Sequence, residues 1–393
     1  MFKGDASYIK NMNRKIILET LIQEKQASRS ELARKTGLNK ATISVQIQDL
    51  LDEQLIIERA QETATSVGRK PIILELNHSA GFTIGLDIDE NFLSIILMNL
   101  QGDFLYEAGE ILSGNKPAEV MNEVAGIIEP IIKNFADKYK PLGLLGIGIG
   151  IHGIVNNEGM IVFTPKQQWS NISCEQFFQS KFQCPVYVNN NANFSVFAEQ
   201  LYDGNTSDLF CLSISSGIGL GIMKDKQIYR GYGGFAGEIG HMIIESNGLK
   251  CPCGNNGCLE LYASEKAILK KLDNLFPNAS EEEKIKSLLS NENSMLDYFI
   301  HYVSIGLNNV INIFNPEKLI INSSILSQDD NLIPELEKKL QSRFNHYKDI
   351  RISKLGKKAC PIGAAAYALR GSLKVESFHF VNLKALPHKA DSK

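Results

Sequence analysis

The spacing of apolar residues predicts a small helical domain at the start of the chain. In residues 9–24 apolar side chains recur at helical intervals, which is the pattern of an amphipathic helix. Ser28 and Glu31 then form an S-x-x-E capping box, which predicts the beginning of a second helix. Gly37 is suited to the left-handed turn that ends such a helix.

A third helix is expected directly after that turn. Asn39 is a suitable cap, and the pattern continues to about Glu53 with apolar positions at Ile43, Ile47 and Leu50. Two short helices joined by a glycine turn are typical of a helix-turn-helix. The polar positions of the third helix have the length to reach base edges and phosphates, and we expect DNA contacts from Lys40, Thr42, Ser44, Gln46 and Gln48.

Two short apolar segments follow, and between them lies a basic glycine turn. Residues 55–57 and 72–76 predict the two strands of a wing, with Arg69 and Lys70 at its tip near phosphates or the minor groove. Residues 1–78 are therefore predicted to form a winged helix-turn-helix domain that binds DNA. The alternative is a three-helix module that binds another protein.

Beyond residue 79 the pattern changes to apolar strands separated by glycines. Strands are predicted over 83–88, 92–99, from 102 onward and over 144–151, with a helix over 119–135, and the pattern restarts at residue 209 with two hairpins. A repeated strand-hairpin-helix unit predicts a duplicated α/β body with a cleft between two lobes. We place the lobes at 79–188 and 189–371 and a tail at 372–393. The glycine-rich turn 216–221 could cradle a phosphate, or be a plain turn.

Composition and charge narrow the class of protein. Apolar residues make up 44% and charged residues 22% of 393 residues, as in ordinary globular proteins. No run of about 18 apolar residues and no signal-peptide core is present, so we expect a cytoplasmic protein without a membrane span. The net charge is −3. Residues 1–80 carry 12 basic and 10 acidic residues, a net charge of +2. The rest of the chain carries 29 basic and 34 acidic residues, a net charge of −5. A slightly basic head therefore precedes an acidic body.

One cluster of cysteines predicts a metal site. Cys251, Cys253 and Cys258 are three of the seven cysteines and follow His241 in the spacing H-x9-C-x-C-x4-C. In a reducing compartment this spacing favours a structural, tetrahedral zinc ion over disulfides, and it makes buried free cysteines the weaker alternative. The cluster is flanked by Glu238 and Glu260, whose carboxylates would suit sugar hydroxyls unless they are ordinary solvated charges.

These motifs together resemble those of the ROK family of repressors and sugar kinases. The matching segments, which extend over nearly the whole chain with the winged head, are G-L-D at 85–87, G-I-G-I-H-G-I-V at 148–155, G-Y-G-G-F-A-G-E-I-G-H-M at 231–242, C-P-C-G-N-N-G-C-L-E at 251–260 and G-A-A at 363–365. The resemblance implies an actin-like, ribonuclease H-like body of two lobes. It also implies a homodimer, or a tetramer, with its interface in the second lobe, and a sugar in the cleft.

The resemblance also implies the residues of the sugar site. The family's sugar contacts match Asn190, Glu238, His241 and Glu260, with Asn191 next to them. His241 would use one ring nitrogen for zinc and direct the other toward a sugar hydroxyl.

The chain departs from the family's kinases at positions that matter for catalysis. The stretch E-N-D-A-N, whose Asp is the general base, here reads N-N-N-A-N with Asn191 at the Asp position. Losing a positioned base typically costs about 10²–10⁴-fold in rate. Asp89 stands in the first phosphate loop, and residues 322–324 replace a run of glycines with N-S-S. We therefore predict no ATP binding and no enzymatic activity.

The same departures favour one sugar. Xylopyranose has no exocyclic hydroxymethyl group, so a site for it needs no base at Asn191. The segments 163–165 and 259–264 and Trp169 look most like the xylose-responsive branch of the family in low-GC Gram-positive bacteria. His152, where the family usually has Pro, leaves glucose or N-acetylglucosamine as alternatives. The alternatives outside this class are an active sugar kinase and a phosphotransfer partner protein that binds an enzyme instead of a sugar. We predict a repressor released from operator DNA by D-xylose.

Overall fold

A computed structural model describes residues 6–60, 72–204, 206–290 and 294–376. The first part is a head of three helices and a three-stranded antiparallel sheet in the order β1-β3-β2. Its elements are α1 (Ala6–Glu24), β1 (Gln26–Ser28), α2 (Arg29–Thr36), α3 (Lys40–Asp52), β2 (Ile56–Ala60) and β3 (Ile72–Leu76). The three predicted helices and both wing strands are present, and β1 is an addition to the prediction.

Local side-chain caps set the helix boundaries of the head. The Ser28 hydroxyl accepts the Glu31 backbone N–H at 3.3 Å, and the Glu31 carboxylate accepts the Ser28 N–H at 2.8 Å. Gly37 ends α2 at a φ of 73°, where a side chain would be strained. Asn39 caps α3 by accepting the Thr42 N–H at 2.8 Å. The capping predictions made from the sequence are therefore confirmed.

The first part of the body is built on a five-stranded sheet in the order β11-β7-β4-β5-β6, with a small three-stranded sheet inserted after β7. Strands β4, β5 and β6 form an antiparallel meander, which a long helix connects to β7. The elements are β4 (Gly81–Ile88), β5 (Phe92–Asn99), β6 (Phe104–Ile111), α4 (Pro117–Lys138), β7 (Gly143–Ile151), β8 (Ile154–Val155), β9 (Ile161–Phe163), β10 (Ser170–Ile172), α5 (Cys174–Phe182) and β11 (Val186–Asn190).

The second part repeats this order. Its sheet runs β14-β13-β12-β15-β16, with antiparallel hairpins first and parallel pairs of β15 with β12 and β16 afterwards. The elements are α6 (Asn191–Asp203), β12 (Leu209–Ile214), β13 (Ile218–Lys224), β14 (Gln227–Ile228), α7 (Glu260–Ala263), α8 (Glu265–Leu275), α9 (Glu281–Leu289), α10 (Met295–Phe314), β15 (Lys318–Ser323), α11 (Leu332–Lys339), β16 (Asp349–Ile352) and α12 (Ala359–Leu373). The predicted duplication is confirmed.

The chain divides into two compact units whose limits differ from the predicted lobes. One unit takes the described residues of Met1–Ile149, Cys174–Val188 and Ala364–Lys393, and the other those of Gly150–Ser173 and Asn189–Gly363. The end of α12 belongs with the first sheet because the Thr83 hydroxyl donates to the Ala365 carbonyl at 2.9 Å. Gly148 allows the same contact, since a Cβ there would lie 2.1 Å from the Ala364 oxygen.

Within the first unit, the head contacts the segment that follows α12. The Lys15 ammonium pairs with Glu376 just beyond α12 at 2.5 Å, and the Glu376 N–H donates to the Glu19 carboxylate at 2.7 Å.

Across the described ranges, no helix combines the length and the apolar character needed to cross a membrane.

Candidate functional site

Four potential metal ligands converge in the second unit. The ligand atoms of His241, Cys251, Cys253 and Cys258 all lie within 4.8 Å of one another. The Cys253 and Cys258 sulfurs are 3.6 Å apart, and the Cys251 sulfur is 3.7 Å from Nδ1 of His241. Tetrahedral zinc with bonds of about 2.3 Å to sulfur spaces its sulfurs roughly 3.8 Å apart. The four residues therefore fit such an ion, and the cluster could hold a metal as the spacing predicted.

The cysteine loop closes on itself because two glycines allow tight backbone turns. Gly254 and Gly257 have φ values of 102° and 77°, and a Cβ on Gly257 would lie 1.8 Å from the Glu245 carbonyl oxygen. Desolvation is the main cause that raises the pKa of the Cys251 and Cys258 thiols. Thiolates this close repel one another, so a cation at their centre would favour the deprotonated state.

Glu238 and His241 are positioned by a segment that lies flat against β13. A Cβ on Gly237 would come within 2.1 Å of the Leu220 carbonyl oxygen, and one on Gly240 within 2.3 Å of the Ile218 oxygen. Only glycine permits this approach at both places. The two backbone contacts fix the short turn that carries Glu238 and His241.

Glu260, the first residue of α7, lies against the cluster of His241 and the three cysteines. Its Oε1 is 3.5 Å from Nδ1 of His241 and 3.7 Å from the Cys251 sulfur. Its Oε2 would be 3.1 Å from a Cβ on Gly217, so a larger residue in the turn before β13 would crowd the carboxylate. Glu260 is therefore held between the cluster and this turn.

The half-buried Glu238 carboxylate is destabilised in its charged form. Desolvation raises the pKa of Glu238 above its ordinary value. The neighbouring His241 lowers this pKa in part, and the negative charge of Glu260 raises it further. Within the described part of the chain, no group donates a hydrogen bond to its carboxylate oxygens. A carboxylate in this state gains from hydroxyl donors, and sugar hydroxyls are such donors.

The predicted asparagines stand at the start of α6. The Asn190 side chain caps the helix by accepting the Ala192 N–H at 2.7 Å and donates to the Gly153 carbonyl at 2.8 Å. The Asn191 amide nitrogen lies 3.5 Å from Nδ1 of His152. Ala192 also contacts β13, where a Cβ on Gly219 would be 3.3 Å from the Ala192 Cβ. The start of β13 therefore contacts the segments that carry all five predicted sugar-binding residues.

The structure corrects the predicted DNA-contacting face of α3. Gln46 is 4% exposed and packs with the apolar residues of the helix, so its side chain is not available to a base. Lys40, Ser44 and Gln48 are exposed and Thr42 is half-buried. The Ser44 hydroxyl donates to the Lys40 carbonyl at 2.9 Å, and the Gln48 amide donates to Asp52 at 2.8 Å. Arg69 and Lys70 lie outside the described residues.

Sequence reasoning missed a carboxylate at the end of β15. The Glu265 carboxylate accepts the hydroxyls of Ser323 at 2.7 Å and Ser324 at 2.6 Å, and the Ile325 N–H at 3.1 Å. It therefore fixes the N-S-S turn that replaces a run of glycines. Glu265 follows the Ser264 cap of α8 and looks like an ordinary first-turn acid, so nothing in the local sequence marked a partner about sixty residues away.

A winged helix-turn-helix head on a duplicated, actin-like α/β body defines a class of DNA-binding transcriptional regulators. The profile of the winged helix-turn-helix DNA-binding domains matches residues 13–57, and that of the ROK family matches residues 83–370. The chain belongs to the ROK family. The family and the fold predicted from the sequence are thus confirmed.

DNA-binding regulators of this family are similar to the chain over nearly its whole length. The chain is 35% identical to the xylose repressor of Bacillus spizizenii, over 95% of this chain and 98% of that protein. A crystal structure of a ROK family transcriptional regulator, a homolog of the Escherichia coli MLC protein, superimposes with a TM-score of 0.79 at 26% identity, covering 93% and 96% of the two chains. The predicted class, a DNA-binding repressor of this family, is confirmed.

The body alone also superimposes on an enzyme. A ROK family glucokinase from Streptomyces griseus, in complex with glucose and AMPPNP, matches with a TM-score of 0.65 at 22% identity, covering 74% of this chain and all of that one. This likeness establishes the shared fold.

Proposed function

We propose that the chain is a cytoplasmic repressor of xylose-utilisation genes that D-xylose releases from operator DNA. One observation carries the sugar assignment. The carboxylates of Glu238 and Glu260 are held beside His241 and the cysteine cluster, on segments that contact β13 or the turn before it. The start of α6, which carries the amides of Asn190 and Asn191, contacts β13 as well. Such a set of fixed charged and amide groups suits the hydroxyls of a sugar.

The metal is proposed to be zinc in a structural role. His241, Cys251, Cys253 and Cys258 would supply four ligands, which leaves no open position for a substrate. The ion would contribute positive charge and fixed geometry to the site. His241 would then be held in one orientation, and the position of Glu260 beside it would depend on the same cluster.

The proposal includes the absence of kinase activity. Asn191, which stands where related kinases have their general base, faces His152 and offers an amide that cannot take a proton from a hydroxyl. Glu265 places a carboxylate on the turn 323–325, and a second acid, Asp89, lies in the turn after β4. The family's kinases bind nucleotide at these two positions, where both carboxylates would repel the negative charge of a polyphosphate.

Xylose is proposed as the effector on two grounds. The xylose repressor of Bacillus spizizenii is similar over 95% of this chain. A pyranose without an exocyclic hydroxymethyl group also needs no base at Asn191. We further propose a homodimer, in which two heads meet two operator half-sites about one helical turn or a multiple apart.

A calorimetric titration of the full-length protein with D-xylose, D-glucose and N-acetylglucosamine, each with and without ATP, tests this proposal. We expect D-xylose to bind most tightly, with no effect of ATP and no phosphorylated product. Glu238→Gln should weaken binding about 10-fold or more, because it removes a charged acceptor. If another sugar binds more tightly than D-xylose, that sugar becomes the proposed effector. Turnover of ATP would refute the assignment as a repressor without kinase activity.

A further inference from the structure

The exposed face of α3 carries an apolar side chain where a DNA-binding helix would meet bases. Val45 is 59% exposed, whereas Ile43, Gln46, Ile47 and Leu50 on the other side of the helix are buried. Residues three, four and seven positions apart share one face of a helix, so Ala41, Ser44, Val45 and Gln48 form a single outward strip. We call these four residues the outward strip.

The polar members of the outward strip already have partners within the helix. The Ser44 hydroxyl donates to the Lys40 carbonyl, and the Gln48 amide donates to the Asp52 carboxylate. Ala41, one turn before Val45, is small and exposed. The strip therefore presents methyl groups at its centre.

A valine at this place is unfavourable by local criteria. Its branched Cβ lowers helix propensity relative to alanine, and an exposed apolar side chain gains nothing from burial. Residues that break local rules without a structural gain are expected at functional sites. The head matches the winged helix-turn-helix DNA-binding domains, and α3 is the second helix of its helix-turn-helix, so DNA is the partner that the outward strip would meet.

The major groove offers one apolar group on its base edges, which is the C5-methyl group of thymine. We propose that Val45 contacts a thymine methyl in each operator half-site, while Ala41 leaves room for the helix to approach the base. The contact makes Val45 a specificity-determining residue, and it supplies the readout that the buried Gln46 does not.

The test compares thymine with uracil, which differ only in this methyl group. Operator is first selected from random duplexes by the full-length wild-type protein, and each thymine of a half-site is then replaced by deoxyuridine in turn. Wild-type protein should lose about fourfold in affinity at one position, the effect of burying one methyl group. Val45→Ala should lose a similar factor on the thymine operator and show no further loss with uracil at that position.

Two features keep the result interpretable. Alanine has the higher helix propensity, so Val45→Ala is expected to fold, which circular dichroism checks. The control Ile9→Ala removes another exposed apolar side chain, on α1, and should keep the wild-type uracil profile. Uracil sensitivity that persists in Val45→Ala, or that no thymine position shows in the wild-type protein, would overturn the proposal. Loss of the same sensitivity in Ile9→Ala would do so as well.

Discussion

The DNA-binding head and the polar site of the second unit present their functional groups in opposite ways. On α3 the outward strip is exposed, and the helices of the head begin at caps between residues close in sequence, Ser28 with Glu31 for α2 and Asn39 with Thr42 for α3. In the second unit the groups are partly desolvated and sit on segments that are held by contacts between distant parts of the sequence.

This difference determines what a single substitution does. A side chain on the outward strip can change without disturbing the core of the head, so its loss should change DNA affinity and little else. Glu238, His241 and Glu260 share their supports, which are the glycines against β13 and the cysteine cluster. Loss of one support should therefore change metal binding, sugar binding and stability together.

The largest effect is expected from Cys253→Ser. Removing one of four ligands should release the metal, since a hydroxyl is a poor ligand for zinc. We expect the metal content to fall from about one ion per chain to nearly none and sugar affinity to fall at least about tenfold. The melting temperature should fall by about 5 °C or more, because 1 kcal/mol corresponds to roughly 2–4 °C in a unit of this size.

Cys184→Ser is the matched control, because Cys184 is a buried cysteine outside the cluster. It should keep its metal, measured by elemental analysis, and its response to sugar. A normal sugar response in metal-free Cys253→Ser would show that sugar binding does not depend on the cysteine cluster. It would contradict the claimed difference between the second unit and the head.

The smallest effect is expected in the head, from Ser28→Ala. The substitution removes the capping box of α2 and should cost about 1 kcal/mol locally. Amide hydrogen exchange in α2 of the full-length protein should become roughly fivefold faster, while sugar affinity stays unchanged. Ser44→Ala is the control of equal size, because the Ser44 hydroxyl bonds back to the helix and caps nothing. A change of sugar affinity in Ser28→Ala would mean that the two regions are not separable in this way.

The same contrast explains how far the sequence alone could lead. The caps of α2 and α3 and the spacing of the metal ligands lie within short stretches, so both could be predicted. The prediction for Gln46 is wrong because it follows the polar side chain and not the spacing, which puts Gln46 three residues after Ile43 and four before Leu50, on the buried face. The role of Glu265 depends on Ser323 and Ser324, which only the folded sheet brings near it. The end of α12 joins the first unit for the same reason.

The central claim is that sugar in the body and operator at the head bias one another. Titration of D-xylose into the full-length protein, free and saturated with operator duplex, measures this directly, with a scrambled duplex as control. Operator should weaken sugar binding about 5–150-fold, and sugar should weaken operator binding by the same factor, because a coupling free energy is reciprocal. Equal affinity for D-xylose with and without operator would contradict the account.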